Sequence, residues 1–119
     1  MHEQVTYNYM DNLKRIRDGL RDGLYANNPQ GSADDQAILA GEYAWIMGRL
    51  EEIVPRRAPI WNNLRKDYKS DTATDRAYEA TEDGVNEQIL KLQAKSIEKM
   101  MSAFKSLINI AQGQANNQY

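Results

Sequence analysis

Apolar residues recur every three or four positions along most of the chain, the spacing that places side chains on one face of an α-helix. The strict alternation typical of β-strands is nowhere sustained, and β-branched residues are sparse. We therefore predict an all-α fold, a small bundle of three to four helices with a long C-terminal amphipathic helix. The 119 residues match the size of one domain, and we expect residues 1–119 to form a single helical domain.

The first helix is predicted over residues 3–26, and a break rich in Asn, Pro and Gly follows at residues 27–31. Two glycines, Gly19 and Gly23, weaken this helix or allow a close contact with another helix. The apolar stripe of the first helix comprises Val5, Tyr9, Leu13, Ile16, Leu20 and Leu24.

The second helix is predicted to begin at Ser32 as its N-cap residue, with acidic residues in its first turn. Pro55 and Pro59 are expected to bend or end this helix. Residues 60–68 then either continue it or form a short separate helix. A turn at residues 69–72 leads into a third helical segment, and we expect Ser70 and Thr72 to be cap or turn residues.

The last helix is predicted over residues 85–112, with a kink at Gly84 before it and a frayed Gln/Asn-rich tail at 113–119. Its main apolar row advances by alternating steps of three and four, as in a heptad seam. A second apolar row lies beside it, which indicates either a bundle interior or one row for this chain and one for another subunit. The candidate oligomer-interface residues are Leu90, Ile97, Met101, Phe104 and Ile108.

Composition argues against catalysis. The chain has no cysteine and a single histidine, His2, which excludes disulfides, thiolate zinc sites, cysteine nucleophiles and His-based triads or metal sites within one chain. No Gly-rich phosphate-binding loop is present. A cluster of carboxylates is compatible with a hard-cation or acid/base site, but without histidine we predict no catalytic residue, no metal, no cofactor and no enzymatic activity. The cluster comprises Asp71, Asp75, Glu79, Glu82 and Asp83.

Charge alternates in blocks along the chain. The net charge is −2, which excludes a uniformly basic nucleic-acid binder but leaves room for a local basic patch. Residues 49–69 are rich in Arg and Lys, residues 70–90 are strongly acidic, and residues 91–105 are again basic. Such opposed blocks can also pair between subunits and set the register of an oligomer.

Basic residues with interleaved aromatic rings are typical of single-stranded nucleic-acid binding, because cations contact phosphates and rings stack on bases. The alternative is that Trp61 and Tyr68 are core anchors and the bases form a solvated face. The candidate nucleic-acid-binding residues are Arg56, Arg57, Trp61, Arg65, Lys66, Tyr68 and Lys69 in the middle block, and Lys91, Lys95 and Lys99 on one face of the last helix.

No stretch is long and apolar enough for a transmembrane helix, and the first thirty residues lack the apolar core of a secretory signal. We therefore expect a soluble cytoplasmic protein that does not act at a membrane.

The C-terminal half, from Trp61 to Ile110, carries three consecutive features. These are a basic-aromatic helix, a short polar turn followed by an Asp-Arg-Ala-Tyr-Glu run with acidic residues after it, and a long amphipathic helix rich in Leu, Met and Phe. In this pattern the chain resembles small phage-encoded recombination mediators of the UvsY type. The matching residues are Trp61-Asn62-Asn63-Leu64-Arg65-Lys66-Asp67-Tyr68, Lys69-Ser70-Asp71 and Thr74-Asp75-Arg76-Ala77-Tyr78-Glu79.

The resemblance implies a non-enzymatic helical protein that assembles into a ring in the host cytoplasm. Such a protein would bind single-stranded DNA and help a RecA-like recombinase displace the single-strand binding protein. The family's basic segment falls on Arg65, Lys66 and Lys69, with Trp61 and Tyr68 as stacking groups. The alternative hypothesis is a small helical phage interaction protein, a host-defence inhibitor or an adaptor, that uses its apolar seam and charge blocks to bind protein partners without nucleic acid.

Overall fold

The computed structural model describes the backbone of residues 2–117 and the side chains of residues 11–113. This part of the chain forms four α-helices and no β-strand: α1 (His2–Arg21), α2 (Pro29–Arg65), α3 (Asp71–Glu79) and α4 (Glu82–Asn117). The predicted all-α bundle with a long C-terminal helix is confirmed. The side chains of His2, Val5 and Tyr9 lie outside the described residues.

Helix α1 ends five residues before the predicted position, because Gly23 adopts a left-handed conformation with φ of 72°. The amide of Leu24 donates to the Gly19 carbonyl at 3.0 Å and the amide of Gly23 to the Leu20 carbonyl at 3.4 Å. These two bonds are the Schellman termination of a helix. Leu24 therefore leaves the apolar stripe and is 67% exposed, so its predicted core position is wrong.

Helix α2 begins at Pro29, not after Ser32. The Asn28 side chain accepts a hydrogen bond from the Gly31 amide at 3.0 Å, and the amide of Ser32 donates to the Asn28 carbonyl at 3.0 Å. Asn28 is thus the N-cap and Pro29 occupies the first helical position, where its missing N–H costs nothing. The predicted N-cap at Ser32 is wrong because Ser32 lies one turn inside the helix.

Helix α2 continues through both of its prolines to Arg65. Proline lacks the amide that would bond the carbonyl four residues earlier, so the carbonyls of Glu51 and Pro55 have no helical donor. Both residues are solvent-exposed, and water can satisfy their carbonyl oxygens. Residues 60–65 are therefore a continuation of α2, which was one of the two predicted alternatives.

Ser70 is the N-cap of α3 and accepts a hydrogen bond from the Ala73 amide at 3.1 Å, so its cap role is confirmed. Helix α4 begins at Glu82, three residues earlier than predicted, and Gly84 lies buried in its first turn. A Cβ at Gly84 would lie 2.0 Å from the Tyr78 carbonyl oxygen. Gly84 thus allows the close approach of α4 to the end of α3. Helix α4 also extends past Gly113, where fraying was predicted, to Asn117.

The chain comprises two compact units, the first formed by Met1–Tyr43 with Ser96–Tyr119 and the second by Ala44–Lys95. Within the first unit, Tyr25 packs edge-on against Phe104 with ring centroids 4.8 Å apart. The Tyr25 hydroxyl donates to the Asp35 carboxylate at 2.5 Å, and Arg15 donates to both oxygens of that carboxylate at 2.9 and 3.0 Å. The buried apolar residues of this unit are Leu13, Ile16, Leu39, Ile97, Met100 and Phe104.

The second unit contains the C-terminal part of α2, all of α3 and the N-terminal part of α4. Thr74 is fully buried, and its hydroxyl donates to the Ser70 carbonyl at 2.8 Å, which satisfies the hydroxyl within α3. The buried apolar residues of this unit are Ile46, Ile53, Tyr78, Leu90 and Ala94.

The predicted heptad seam of α4 is correct at Leu90, Ala94, Ile97 and Phe104, all of which are buried. It selects the wrong methionine, because Met100 is 5% exposed and Met101 is 38% exposed. Both methionines satisfy three-and-four spacing between Ile97 and Phe104, so periodicity alone does not separate them.

No helix within residues 2–117 is long and apolar enough to cross a membrane.

Candidate nucleic-acid interface

The two arginines in the middle of α2 form ion pairs with acidic residues of α4. The Arg56 guanidinium donates to both oxygens of Asp83, at 3.0 and 3.2 Å. The neighbouring Arg57 contacts Glu87 at 3.2 Å and lies 5.5 Å above the ring of Tyr78. Both guanidinium groups are therefore neutralised within the chain, which leaves them less charge to offer a phosphate.

Two further candidate residues, near the end of α2, are bound to acids of α3. The Trp61 indole donates to Asp75 at 2.8 Å. Arg65 donates to Asp71 at 3.0 Å and to the carbonyl of Tyr68 at 2.5 Å. The basic block at residues 49–69 thus pairs with the acidic block at 70–90 inside one chain, so these contacts are already made without a second subunit.

The segment between α2 and α3 differs from this paired region. Lys66, Tyr68 and Lys69 are all exposed, with Tyr68 at 42%. Neither lysine forms an ion pair with any residue from 11 to 113. Asp67 lies between them and is also exposed. This segment, residues 66–69, presents an aromatic ring between two free ammonium groups.

Three candidate lysines lie on α4. Lys91 contacts the carboxylate of Glu87 at 3.3 Å, whereas Lys95 and Lys99 are exposed and make no ion pair with the described side chains. The predicted cationic stripe is thus partly neutralised at its first member.

The predicted oligomer-interface residues separate into two groups. Leu90, Ile97 and Phe104 are at most 6% exposed and belong to the core of their own chain. Their assignment to a subunit interface is corrected, because these side chains are already covered. Met101 and Ile108 are about two-fifths exposed and keep free surface for a partner.

A cleft of about 700 Å³ lies within the second unit, between α2, α3 and α4. Apolar side chains of α2 line one side, and polar side chains of α3 and α4 line the other. Its apolar lining includes Val54, Ala58 and Trp61, and its polar lining includes Asn62, Tyr78, Glu87, Gln88 and Lys91.

Two polar groups of this cleft are buried without a hydrogen bond. The Tyr78 hydroxyl and the Oε1 atom of Glu87 have no hydrogen-bond partner, and the two residues are only 4% and 3% exposed. Burial, followed by the negative charge and acceptor capacity of nearby Glu87, raises the pKa of Tyr78. The hydroxyl therefore stays protonated and able to donate a hydrogen bond near neutral pH.

The carboxylate cluster predicted as a possible cation site is divided among separate partners. Asp71, Asp75 and Asp83 bind Arg65, Trp61 and Arg56 respectively. Within the part of the chain that the structure describes, no three acidic or histidine side chains come together as metal ligands.

Comparison with protein-family models, with curated proteins and with solved structures gave no significant match.

Sequence reasoning missed the cleft, because Tyr78 and Glu87 become neighbours only through the packing of α3 against α4. One signal was present. Gly84 lies between α3 and α4, and a glycine at such a place permits close approach of two backbones.

Proposed function

We propose that this chain is a non-enzymatic single-stranded-DNA-binding recombination mediator of a phage. The observation that carries the proposal is the exposed Tyr68 between Lys66 and Lys69, neither of which is ion-paired. Ammonium groups bind successive phosphates, and an exposed ring stacks on a base whatever its sequence.

The paired arginines restrict the proposed interface to a few contacts per chain. Two free lysines and one ring give weak binding alone, and Asp67 weakens it further through repulsion of phosphate. Joining several copies on one strand multiplies such weak contacts. The proposal therefore includes a homo-oligomer, and the ring that the resemblance to UvsY-type mediators implies would supply it.

The partners in this proposal also come from the resemblance. They are single-stranded DNA, a RecA-like recombinase and the single-strand binding protein that the recombinase must replace. Lys95 and Lys99, which are exposed on α4, are additional phosphate contacts in an oligomer.

Anisotropy of a fluorescein-labelled oligo-dT strand, titrated with the chain at low and moderate salt, tests DNA binding. We expect micromolar or tighter binding at low salt that weakens steeply as salt rises, because bound phosphates release counterions. An absence of binding at low salt, where charge is least screened, would refute the proposal. Light scattering tests the oligomer, and a monomer across micromolar concentrations would refute that part.

A second function is favoured by one further observation. Val85, Ile89 and Leu92 are 42%, 48% and 68% exposed on α4, and their spacing of four and three residues places them in one row. An exposed apolar row of this kind is typical of a surface that binds another protein. A helical phage interaction protein without a nucleic-acid role, a host-defence inhibitor or an adaptor, is therefore the second candidate.

Salt dependence separates the two candidates. An apolar interface responds weakly to salt, whereas phosphate binding responds steeply. If Leu92→Lys abolishes capture of a protein partner while the chain shows no affinity for oligo-dT, the second candidate replaces the first.

A further inference from the structure

The cleft of the second unit has the size and lining of a small-ligand site. Its volume of about 700 Å³ lies within the range of ~300–1,000 Å³ usual for such sites. Val54, Ala58 and the Trp61 indole give it an apolar wall. The hydrogen bond from Trp61 to Asp75 holds the indole in one orientation.

The opposite side of the cleft carries two hydrogen-bonding groups that the chain itself does not use. The Tyr78 hydroxyl and the Glu87 Oε1 atom are buried and have no hydrogen-bond partner. Burial of a polar group without a partner is destabilising, so most such groups in folded proteins are satisfied. Two of them in one cleft indicate a ligand with both a donor and an acceptor.

The rim of the same cleft carries two cations. Arg57 and Lys91 both contact the Glu87 carboxylate, yet their side chains remain 49% and 54% exposed. A guanidinium has five N–H donors and an ammonium has three. Each group therefore keeps donors for an anion at the rim.

From these three features we propose that the cleft binds one nucleotide of the DNA strand, with the base inside the cleft and its phosphate at Arg57 and Lys91. This inference rests on the proposed function and adds a second contact site to the segment at residues 66–69.

The polar groups match the edge of a nucleobase. Every base presents at least one N–H donor beside a ring nitrogen or carbonyl acceptor. The Glu87 Oε1 atom accepts from the N–H, and the Tyr78 hydroxyl donates to the acceptor. The Trp61 indole covers an apolar face of the ring, as aromatic side chains do in other single-strand binders.

The test compares an oligo-dT strand with an abasic strand of equal length, because only the first can fill the cleft with a base. The readout is the ratio of the two affinities at low salt. Tyr68→Ala removes the exposed ring, and we expect the ratio to stay above one in this variant because the cleft remains. Adding Tyr78→Phe should lower the ratio by about three- to tenfold, the usual effect of one lost hydrogen bond.

Thermal unfolding separates a binding role of Tyr78 from a structural one. Tyr78→Phe deletes a hydroxyl that is unpartnered in the free chain, so its melting temperature should be unchanged or higher. Tyr43→Phe is the matched control, since its hydroxyl donates to Glu98 at 2.8 Å in the other unit, and it should leave the affinity ratio unchanged.

The possible failures are distinguishable. If neither strand binds, the proposed function falls and the cleft inference falls with it. If both strands bind and Tyr78→Phe leaves the ratio unchanged, the inference about the cleft alone is overturned. A lowered melting temperature with an unchanged ratio would show that the hydroxyl pairs with Glu87 or water in solution, and this also overturns the inference.

Discussion

The Arg57 guanidinium lies 3.2 Å from the carboxylate of Glu87, a residue that is 3% exposed, and 5.5 Å above the Tyr78 ring. One side chain of α2 therefore contacts both α3 and α4. Because a buried carboxylate without a counter-charge is strongly unfavourable, this contact is important to the second unit.

We expect Arg57→Ala to lower the free energy of unfolding by about 1–3 kcal/mol, since it leaves Glu87 with Lys91 as its remaining cation. Arg56→Ala is the matched control, because Arg56 pairs with the less buried Asp83, and it should cost less than about 1 kcal/mol. Urea unfolding of both variants measures the difference. Equal losses would show that burial of Glu87 does not control this contact.

Gly84→Ala should destabilise the chain by about 1–3 kcal/mol, because the added methyl group would lie 2.0 Å from the Tyr78 carbonyl. Gly41 and Gly48 are the matched controls, since both lie within α2 and have no atom within 4 Å of an added Cβ. Their alanine variants should gain about 0.5–1 kcal/mol from helix propensity. Thermal unfolding checks all three, and a stabilised Gly84→Ala variant would contradict the close approach of α3 and α4.

The Asp35 carboxylate should contribute to acid sensitivity. Hydrogen bonds from Arg15 lower its pKa below the ordinary 3.8. A lowered pKa in the folded chain contributes stability above pH 3.8, and this contribution is lost as pH falls through the lower folded pKa. Asp35→Asn should therefore be less stable at neutral pH, and its stability should approach that of the unchanged chain at low pH. A constant difference across the acid range would contradict this account.

Tyr25 should have the opposite effect at alkaline pH. Burial, together with the hydrogen bond to Asp35, raises the pKa of Tyr25 from 10.0 to about 12. Its contribution is present below pH 10.0 and is lost as pH rises through about 12. Tyr25→Phe should flatten the loss of stability between these values in a denaturation series. An unchanged alkaline slope would count against the buried Tyr25–Asp35 bond.

The sequence was sufficient for the helices and for most of their inward faces. Leu13, Ile16, Leu90, Ile97 and Phe104 are buried as the three-and-four spacing predicted. This succeeds because helical periodicity and burial are linked by simple geometry.

The boundaries depended on interactions that spacing does not describe. The end of α1 is fixed by the left-handed Gly23, and the start of α2 is fixed by the Asn28 side chain. Helix α2 also passes Pro55 and Pro59, where local propensity favours a break. Tertiary packing across the buried Ile53 and Ile46 stabilises the helix despite those residues.

The candidate interface was only partly predictable, because ion pairing is a property of the fold. Arg56, Arg57 and Arg65 look the same in sequence as Lys66 and Lys69, yet only the lysines lie beyond the reach of acidic side chains in α3 and α4. Pairing of the two charge blocks within the chain decides which cations remain free.

Removal of the negative charge between the two lysines should increase affinity for DNA. Asp67 is exposed and makes no ion pair with the described side chains, so Asp67→Asn removes repulsion of phosphate without breaking a contact. We expect tighter binding of oligo-dT by severalfold at low salt and little change at high salt, where charges are screened. Equal affinity at low salt would show that the strand does not pass this segment.

The most direct test of the account is the salt dependence of oligo-dT binding by the chain and by the double variant Lys66→Ala, Lys69→Ala. The account predicts that the slope of log affinity against log salt falls by about 2 in the variant, about one for each lost phosphate contact. The control is Lys14→Ala, Arg17→Ala, which changes the net charge equally at two exposed positions of α1 and should leave the slope nearly unchanged. Equal slopes in the chain and the Lys66, Lys69 variant would contradict a DNA-binding role for residues 66–69.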